Sequence, residues 1–411
     1  MKKVFTILFV LIFLSAALGE LARLPVGPGI LPNDILIAAL IVIWSLNKLF
    51  TKSPLPKARL WVPFLIFCAV LFISLLNGSR ALSSTETILS GFYLIRFIEY
   101  FLLIFVVLDL TKNSRFKNNL QTFLFVAAFL VAIFGFIQLK IYPDFTEMAQ
   151  TQGWDPHINR LLSTWFDPNF VGGMLAFVSC LILGKLTSKN PWRQKIPLIS
   201  ILVILVCALF LTYSRSSYLA FLAGAGLIGL LRSRKLLIIG LITLTLLIPL
   251  SERAQERVSD MLYSAKSLIT ETAELPDATA RLRLESWQNA ITIFQEHPWL
   301  GVGYNAYSYA QRDHGFIKAD THHAASGSDS TILTILATSG LIGAAAYLWI
   351  LGTILLQSFA RRENPFALGF LAGFCGILIH AIFVNSLLYT PFLIFFYSAL
   401  GIMLAPQSKK S

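Results

Sequence analysis

The chain has 411 residues, of which 56% are hydrophobic and only 13% charged, and its mean hydropathy is +0.71. A soluble domain carries roughly twice that charged share, so a water-soluble globule is excluded and a bilayer is the solvent. The net charge of +12 comes as short basic clusters between apolar runs, a pattern that encodes membrane topology and not nucleic-acid binding.

Met1-Lys2-Lys3 leads into an apolar run that ends at Leu18, in the manner of a signal peptide. Further apolar runs follow and no soluble secreted domain does, so the segment reads as an uncleaved first span. Runs near the ~20 residues that cross a hydrocarbon core place spans at 4–19, 33–50, 60–77, 88–108, 119–139, 169–187, 195–213, 216–232, 235–251, 330–357, 366–386 and 388–405. Arg96 and Glu99 stand three residues apart inside the fourth span and are expected to pair with each other. His380, in the eleventh, reads as a hydrogen-bonded packing histidine. Cys68, Cys180, Cys207 and Cys375 all fall inside apolar runs and read as packing residues, with no metal-ligand spacing and no disulfide framework.

With the N-terminus in the cytoplasm, most of the 33 basic residues lie in cytoplasmic segments, Lys57 and Lys189 among them. That alternation implies an even number of spans with both termini inside. The fold class is therefore an all-α polytopic membrane protein with about 12 transmembrane helices and a large extracytoplasmic loop between helices 9 and 10. Residues 1–411 form a single bundle, and the loop is 251–328. A second outside segment runs over 141–168. Within the large loop a helix is expected over Ala278–Glu296. Leu284, Trp287, Ile291 and Phe294 make an apolar stripe at i, i+3, i+7 and i+10. Pro298 stops the helix, and Gly301 and Gly303 supply a turn.

Polar residues collect on the outside face. Arg160 precedes Trp165-Phe166-Asp167-Pro168-Asn169. Arg215 lies in LTYSRSSY, and Arg281 and Arg283 open the loop helix. Guanidinium groups hold phosphate oxygens through paired hydrogen bonds, so several at one membrane face suit an anionic head group such as a lipid diphosphate. Snorkelling or pairing with a nearby acid explains any one of them equally well. Arg215 stands out, because it sits between two apolar spans with no acid close in sequence. His322 and His323 are adjacent, so their side chains diverge, which argues against joint metal ligation. Either suits a general base or a substrate contact, and a solvated loop histidine looks the same. Asp329 opens a long apolar run, where a carboxylate serves as a helix cap or as a base at the membrane surface. Gly340 and Gly343 form a close-packing or bending element. The chain has no Gly-rich phosphate loop, no paired CxxC, no HExxH and no internal repeat.

At these residues the chain resembles the O-antigen ligase and O-antigen polymerase superfamily. The likeness rests on RLLSTWFDPNFVGGMLA from Arg160, LTYSRSSYLAFLAG from Leu211, RLESWQNAITIFQEHPWLGVGYNAY from Arg283 and SDSTILTILATSGLIG from Ser328. It covers mainly residues 160 to 350. The resemblance implies a multi-helix glycosyltransferase of the GT-C type in the cell (inner, cytoplasmic) membrane. Such an enzyme moves a glycan from a polyprenyl-diphosphate carrier, such as undecaprenyl diphosphate, to an acceptor on the non-cytoplasmic side, with no metal and no cofactor. Family arginines that bind the diphosphate match Arg215 and Arg283, with Arg160 a weaker match; Arg281, which opens the same helix as Arg283, is a further substrate-binding candidate. Where ligases of the family carry a His-Asn pair, this chain has Asp329 and Ser330. Aspartate can take the base's place, and His322 or His323 is the alternative. A transporter or flippase for a lipid-linked sugar is the rival class. Transporters commonly place their sites near the midplane between similar halves, and no halves are apparent here.

Overall fold

The computed structural model describes residues 1–24, 29–232, 234, 238, 259, 278–317 and 327–406. Among these, an isolated bridge between Asp144 and Ile158 is the only extended pairing, and helices make up the rest of the regular structure. Nine described helices are long and apolar enough to cross a membrane. They are α1 (Lys2–Leu18), α2 (Pro32–Thr51), α3 (Trp61–Gly78), α4 (Ser84–Leu110), α5 (Ser114–Ile141), α7 (Pro168–Leu186), α8 (Trp192–Leu211), α12 (Thr331–Ala360) and α13 (Pro365–Phe383). Two more helices coincide with expected spans, α9 (Arg215–Arg232) and α14 (Thr390–Leu404). Shorter helices are α6 (Thr146–Gln152) and α11 (Tyr307–Asp313), and the large loop contributes α10 (Ala278–Glu296). The expected span 235–251 and much of the loop 251–328 lie outside the described residues.

Helix starts follow local chemistry. Ser83 and Glu86 form a capping box on α4, Asn113 caps α5, Asp167 caps α7 and Asn364 caps α13. Each side-chain oxygen takes up a backbone N–H that the first turn leaves unpaired. Small residues set the contacts between helices. A Cβ on Gly184 would overlap the backbone of Gly369, and one on Gly376 would overlap the Ala220 carbonyl. α7, α9 and α13 therefore approach at backbone distance, the packing that bilayer helices use in place of a hydrophobic drive. The outward faces are apolar, with Leu49, Phe50 and Leu356 at least 70% exposed, as a lipid-facing surface requires.

Arg96 does not pair with Glu99. It donates to Asp34 Oδ2 of α2 at 2.8 Å and to the Gly29 carbonyl at 3.2 Å. An i, i+3 neighbour on the same helix is always near in sequence, but a partner from the facing helix relieves two buried charges across the contact. His380 is buried as expected and bonds Ser217 Oγ at 3.1 Å and Ser386 Oγ.

α10 spans the expected residues, and its most deeply buried residues lie beside the apolar stripe. Ala290 and Ile293 are buried against Ala337 of α12 and Tyr307 of α11, whereas Ile291 of the expected stripe is exposed. The contact is made by the small side, rotated by about one residue, or ~100°. The rest of the stripe, Leu284, Trp287 and Phe294, is half-buried, with Trp287 stacked on Phe383.

α12 is broken at Gly340, whose φ of 64° and ψ of −167° leave the helical region. Residues 298–303 run alongside the break. Leu341 N donates to Pro298 O at 2.8 Å and Ile342 N to Trp299 O at 3.3 Å. Val302 N and Gly303 N donate to the carbonyls of Ala337 and Thr338 at 3.0 and 3.1 Å. Ser74 of α3 closes the joint, reaching Leu300 O at 2.8 Å and Thr338 O at 2.7 Å. The His-Pro-x-x-Gly-x-Gly segment is thus a backbone strap that satisfies the groups the break frees.

Candidate functional site

The first two motif segments meet in front of α7 and α9. Leu161 N donates to Leu211 O at 2.9 Å. Arg160 Nε donates to Thr212 O at 2.9 Å, and its other nitrogens reach Tyr213 O and His157 Nδ1, each at 3.4 Å. Arg160 therefore fixes the turn that carries Arg215, the first residue of α9. In the WFDPN stretch, Trp165 is buried with Nε1 on the Ala16 carbonyl at 2.8 Å. Asp167 then receives Asn169 N at 2.6 Å and Phe170 N at 3.1 Å. Asn169 Oδ1 accepts from Ser214 Oγ at 2.8 Å, which ties the two segments together.

The third segment adds Asp329. Its N–H donates to Ser286 Oγ at 3.2 Å, and Trp287 Nε1 donates to its carbonyl at 3.3 Å. Both partners belong to α10. The N-cap of α12 is Ser330, whose hydroxyl accepts from Leu333 N. The Asp329 carboxylate is therefore not the cap, and it lines a cavity of about 660 Å³.

That cavity also takes in Arg23, Arg96, Arg283, Asp155, Asp167, Asn169 and Tyr304. Arg23 is paired with Glu20, and Arg96 with Asp34 at 2.8 Å. Arg283 lies 5.8 Å from the Phe383 ring centroid and is close enough to Asp329 to lower its pKa. Enclosure by the cavity walls acts the other way and prevails. Together with the neighbouring Asp155 it leaves the Asp329 carboxyl above the ordinary range. Asp167 behaves alike: burial and Asp155 push it up to about 6, against the backbone N–H groups and Arg160 that favour its anion. Burial and the adjacent Arg160 hold His157 down at about 3, so it is a neutral imidazole.

Of the residues singled out in the sequence, Arg283 and Asp329 share this cavity. Arg215 is half-buried at the start of α9, Arg160 braces the turn before it, and Arg281 is exposed on α10. None of these three is among the described residues that line the cavity. His322 and His323 lie outside the described residues. The carboxylates Asp155 and Asp167 were not singled out as site residues. Asp167 was legible as the charged member of WFDPN, whereas Asp155 carried no local signal. Asp155, His157 and Asp167 place ligand-type atoms within 4.8 Å of one another. The Arg160 guanidinium already occupies the Nδ1 side of that imidazole.

The arrangement joins guanidinium groups, raised-pKa carboxylates and aromatic walls in one partly enclosed space. Residues 200–348 match the O-antigen ligase family. Over 331 residues the chain is 26% identical to an O-antigen ligase of Pseudomonas aeruginosa, covering 80% of this chain and 73% of that protein. The resemblance carried by the motifs is thereby borne out as a similarity: a chain with nine described helices long and apolar enough to cross a membrane matches the O-antigen ligase family over residues 200–348.

Proposed function

We propose that the chain is a membrane glycosyltransferase that moves a glycan from a polyprenyl-diphosphate carrier to an acceptor hydroxyl within the cavity. The observation that carries this reading is that Arg283 and Asp329 line one cavity, with the Asp329 backbone pinned by Ser286 and Trp287. Asp329 takes the proton of the acceptor hydroxyl. The oxygen attacks the anomeric carbon, and the bond from that carbon to the diphosphate oxygen breaks. The electron pair leaves on the diphosphate, where Arg283 stabilises the growing charge. Arg215 is the second donor contact, matched by motif, with Arg160 and Arg281 as further basic groups, and His322 or His323 is the alternative base. No metal is needed in this reading, because guanidinium groups carry the charge.

The basic clusters support both termini in the cytoplasm, twelve spans in the inner membrane and the 251–328 loop outside. The cavity then opens on the non-cytoplasmic face. Purified protein incubated with a lipid-linked glycan and candidate acceptors, with products read by mass spectrometry, tests the proposal. Transfer is expected, and Asp329→Asn is expected to slow it by about 100- to 10,000-fold while leaving donor binding intact. Arg283→Ala is expected to weaken donor binding. Near-normal turnover by the Asn variant removes Asp329 as base. Movement of the lipid-linked sugar across vesicles with no transfer product would establish the rival transporter class.

A further inference from the structure

A second pocket, of about 320 Å³, lies among Lys57, Arg59, Leu108, Gln357, Arg361 and Leu404. Thr338 of α12 lines the large cavity, and Gln357 of the same helix lines this one. Nineteen residues at 1.5 Å each separate them by roughly 30 Å, the thickness of a hydrocarbon core. The small pocket is therefore at the opposite membrane face and shares nothing with the site above.

Its chemistry is one-sided. Lys57, Arg59 and Arg361 bring three cationic donors, and among the described residues no carboxylate pairs with any of them. Arg361 is held over the pocket by its own NH1, which donates to the Gln357 carbonyl at 3.0 Å. Burial and the facing Arg59 charge lower the Arg361 pKa, so the two guanidinium groups repel across the space. Gln357 is only 8% exposed, and its Nε2 has no hydrogen-bond partner. A buried, unsatisfied amide donor is destabilising by about 1–3 kcal/mol, and an acceptor in the pocket relieves it. By contrast, Lys48 and Lys112 share a carboxylate, each lying 2.7 Å from Asp109.

The walls beside these donors are apolar. Leu108 and Leu404 are buried in the pocket, and Leu356 and Phe359, next to Gln357 and Arg361, face outward with 72% and 49% exposure. A small anion would contact only the donors, whereas a phosphodiester on a glycerol backbone would use both surfaces. We propose that this pocket is a phosphate-group site that holds the head group of an anionic phospholipid, with its acyl chains along Leu356 and Phe359. Basic pockets between transmembrane helices recognise acidic lipids by this combination of charge and depth.

The test uses the purified full chain in detergent and native mass spectrometry of retained lipid. Phosphatidylglycerol is supplied against phosphatidylcholine, with and without inorganic phosphate. Wild type is expected to retain phosphatidylglycerol in preference. The Arg59→Gln/Arg361→Gln double variant is expected to lose about tenfold of that preference, a change of ~1.4 kcal/mol. Gln357→Leu, which removes the donor and keeps the bulk, is expected to lose part of it and serves alone if the double variant does not fold. Lys2→Gln/Lys3→Gln removes charge from the same face away from the pocket and is expected to change nothing. Equal retention of the two lipids, or equal loss in the Lys2/Lys3 control, overturns the site. Displacement of the lipid by inorganic phosphate at comparable concentration overturns the lipid as its occupant.

Discussion

Replacing Gly340 by alanine is expected to destabilise the chain by about 3–4 kcal/mol. Two contributions add. A left-handed φ at a residue with a Cβ is disfavoured by about 1–2 kcal/mol, and Gly340 sits at φ 64°. The new Cβ would also overlap the backbone of Trp299 and Leu300, so the strap must move. Leu341 N and Ile342 N then lose their bonds to Pro298 and Trp299, at about 1 kcal/mol each. Gly352, on the same helix, is the control, because a Cβ added there would meet nothing within 4 Å. Gly352→Ala is expected to be neutral or stabilising by up to about 1 kcal/mol, since glycine is a poor helix former. SDS-titrated unfolding in mixed micelles, followed by circular dichroism, measures both. If the two variants fall within about 0.5 kcal/mol of each other, the break does not depend on glycine and the strap is not what holds it.

Ser74→Ala removes the hydroxyl shared by Leu300 O and Thr338 O, and the same unfolding measurement is expected to show a loss of about 1–3 kcal/mol. Combined with Gly340→Ala it is expected to be less than additive, because both variants loosen one joint. Asp167→Asn keeps the cap on α7, since the two residues cap alike, but removes a carboxyl raised from 3.8 to about 6. The stability from that raised pKa is fully present below about 3.9 and is lost as pH rises through about 6; it amounts to at most about 3 kcal/mol. Thermal melts of wild type are therefore expected to fall between pH 4 and pH 6, and melts of the variant to stay flatter; parallel profiles would show that Asp167 titrates normally. In a background without native cysteines, an impermeant thiol reagent added to intact cells is expected to label Ser326→Cys and to spare Lys57→Cys and Lys189→Cys. Labelling at Lys57→Cys would reverse the proposed orientation.

Much of the architecture was legible because apolar length is a strong signal. The expected runs coincide with described helices wherever the structure describes them, and α10 occupies the expected residues. Of the basic and acidic residues singled out in the motifs, Arg283 and Asp329 line one cavity, whereas Arg215, Arg160 and Arg281 are not among its described lining residues. What escaped was partner choice. Arg96 turned to Asp34 across a helix contact, because the charge that neutralises it is near only after folding. The apolar stripe of α10 did not include Ala290 and Ile293, the residues buried against α11 and α12. Ala290 marks the contact by being small. Asp329 looked like a cap, but Ser330 caps the helix one residue later. That left the carboxylate to the cavity, a distinction of one position that periodicity does not resolve.

The strap at Gly340 bears on how the chain is made. Residues 298–303 precede α12 in the sequence, and Ser74 precedes both. Synthesis runs from the N-terminus, so the partners of the broken helix exist before the break reaches the bilayer. Leu341 and Ile342 can find the Pro298 and Trp299 carbonyls during insertion. Their N–H groups then need not cross lipid unsatisfied. A circular permutant that begins between 304 and 330 would reverse that order. It would keep every contact of the finished fold, yet its helix would enter the membrane with the break still open.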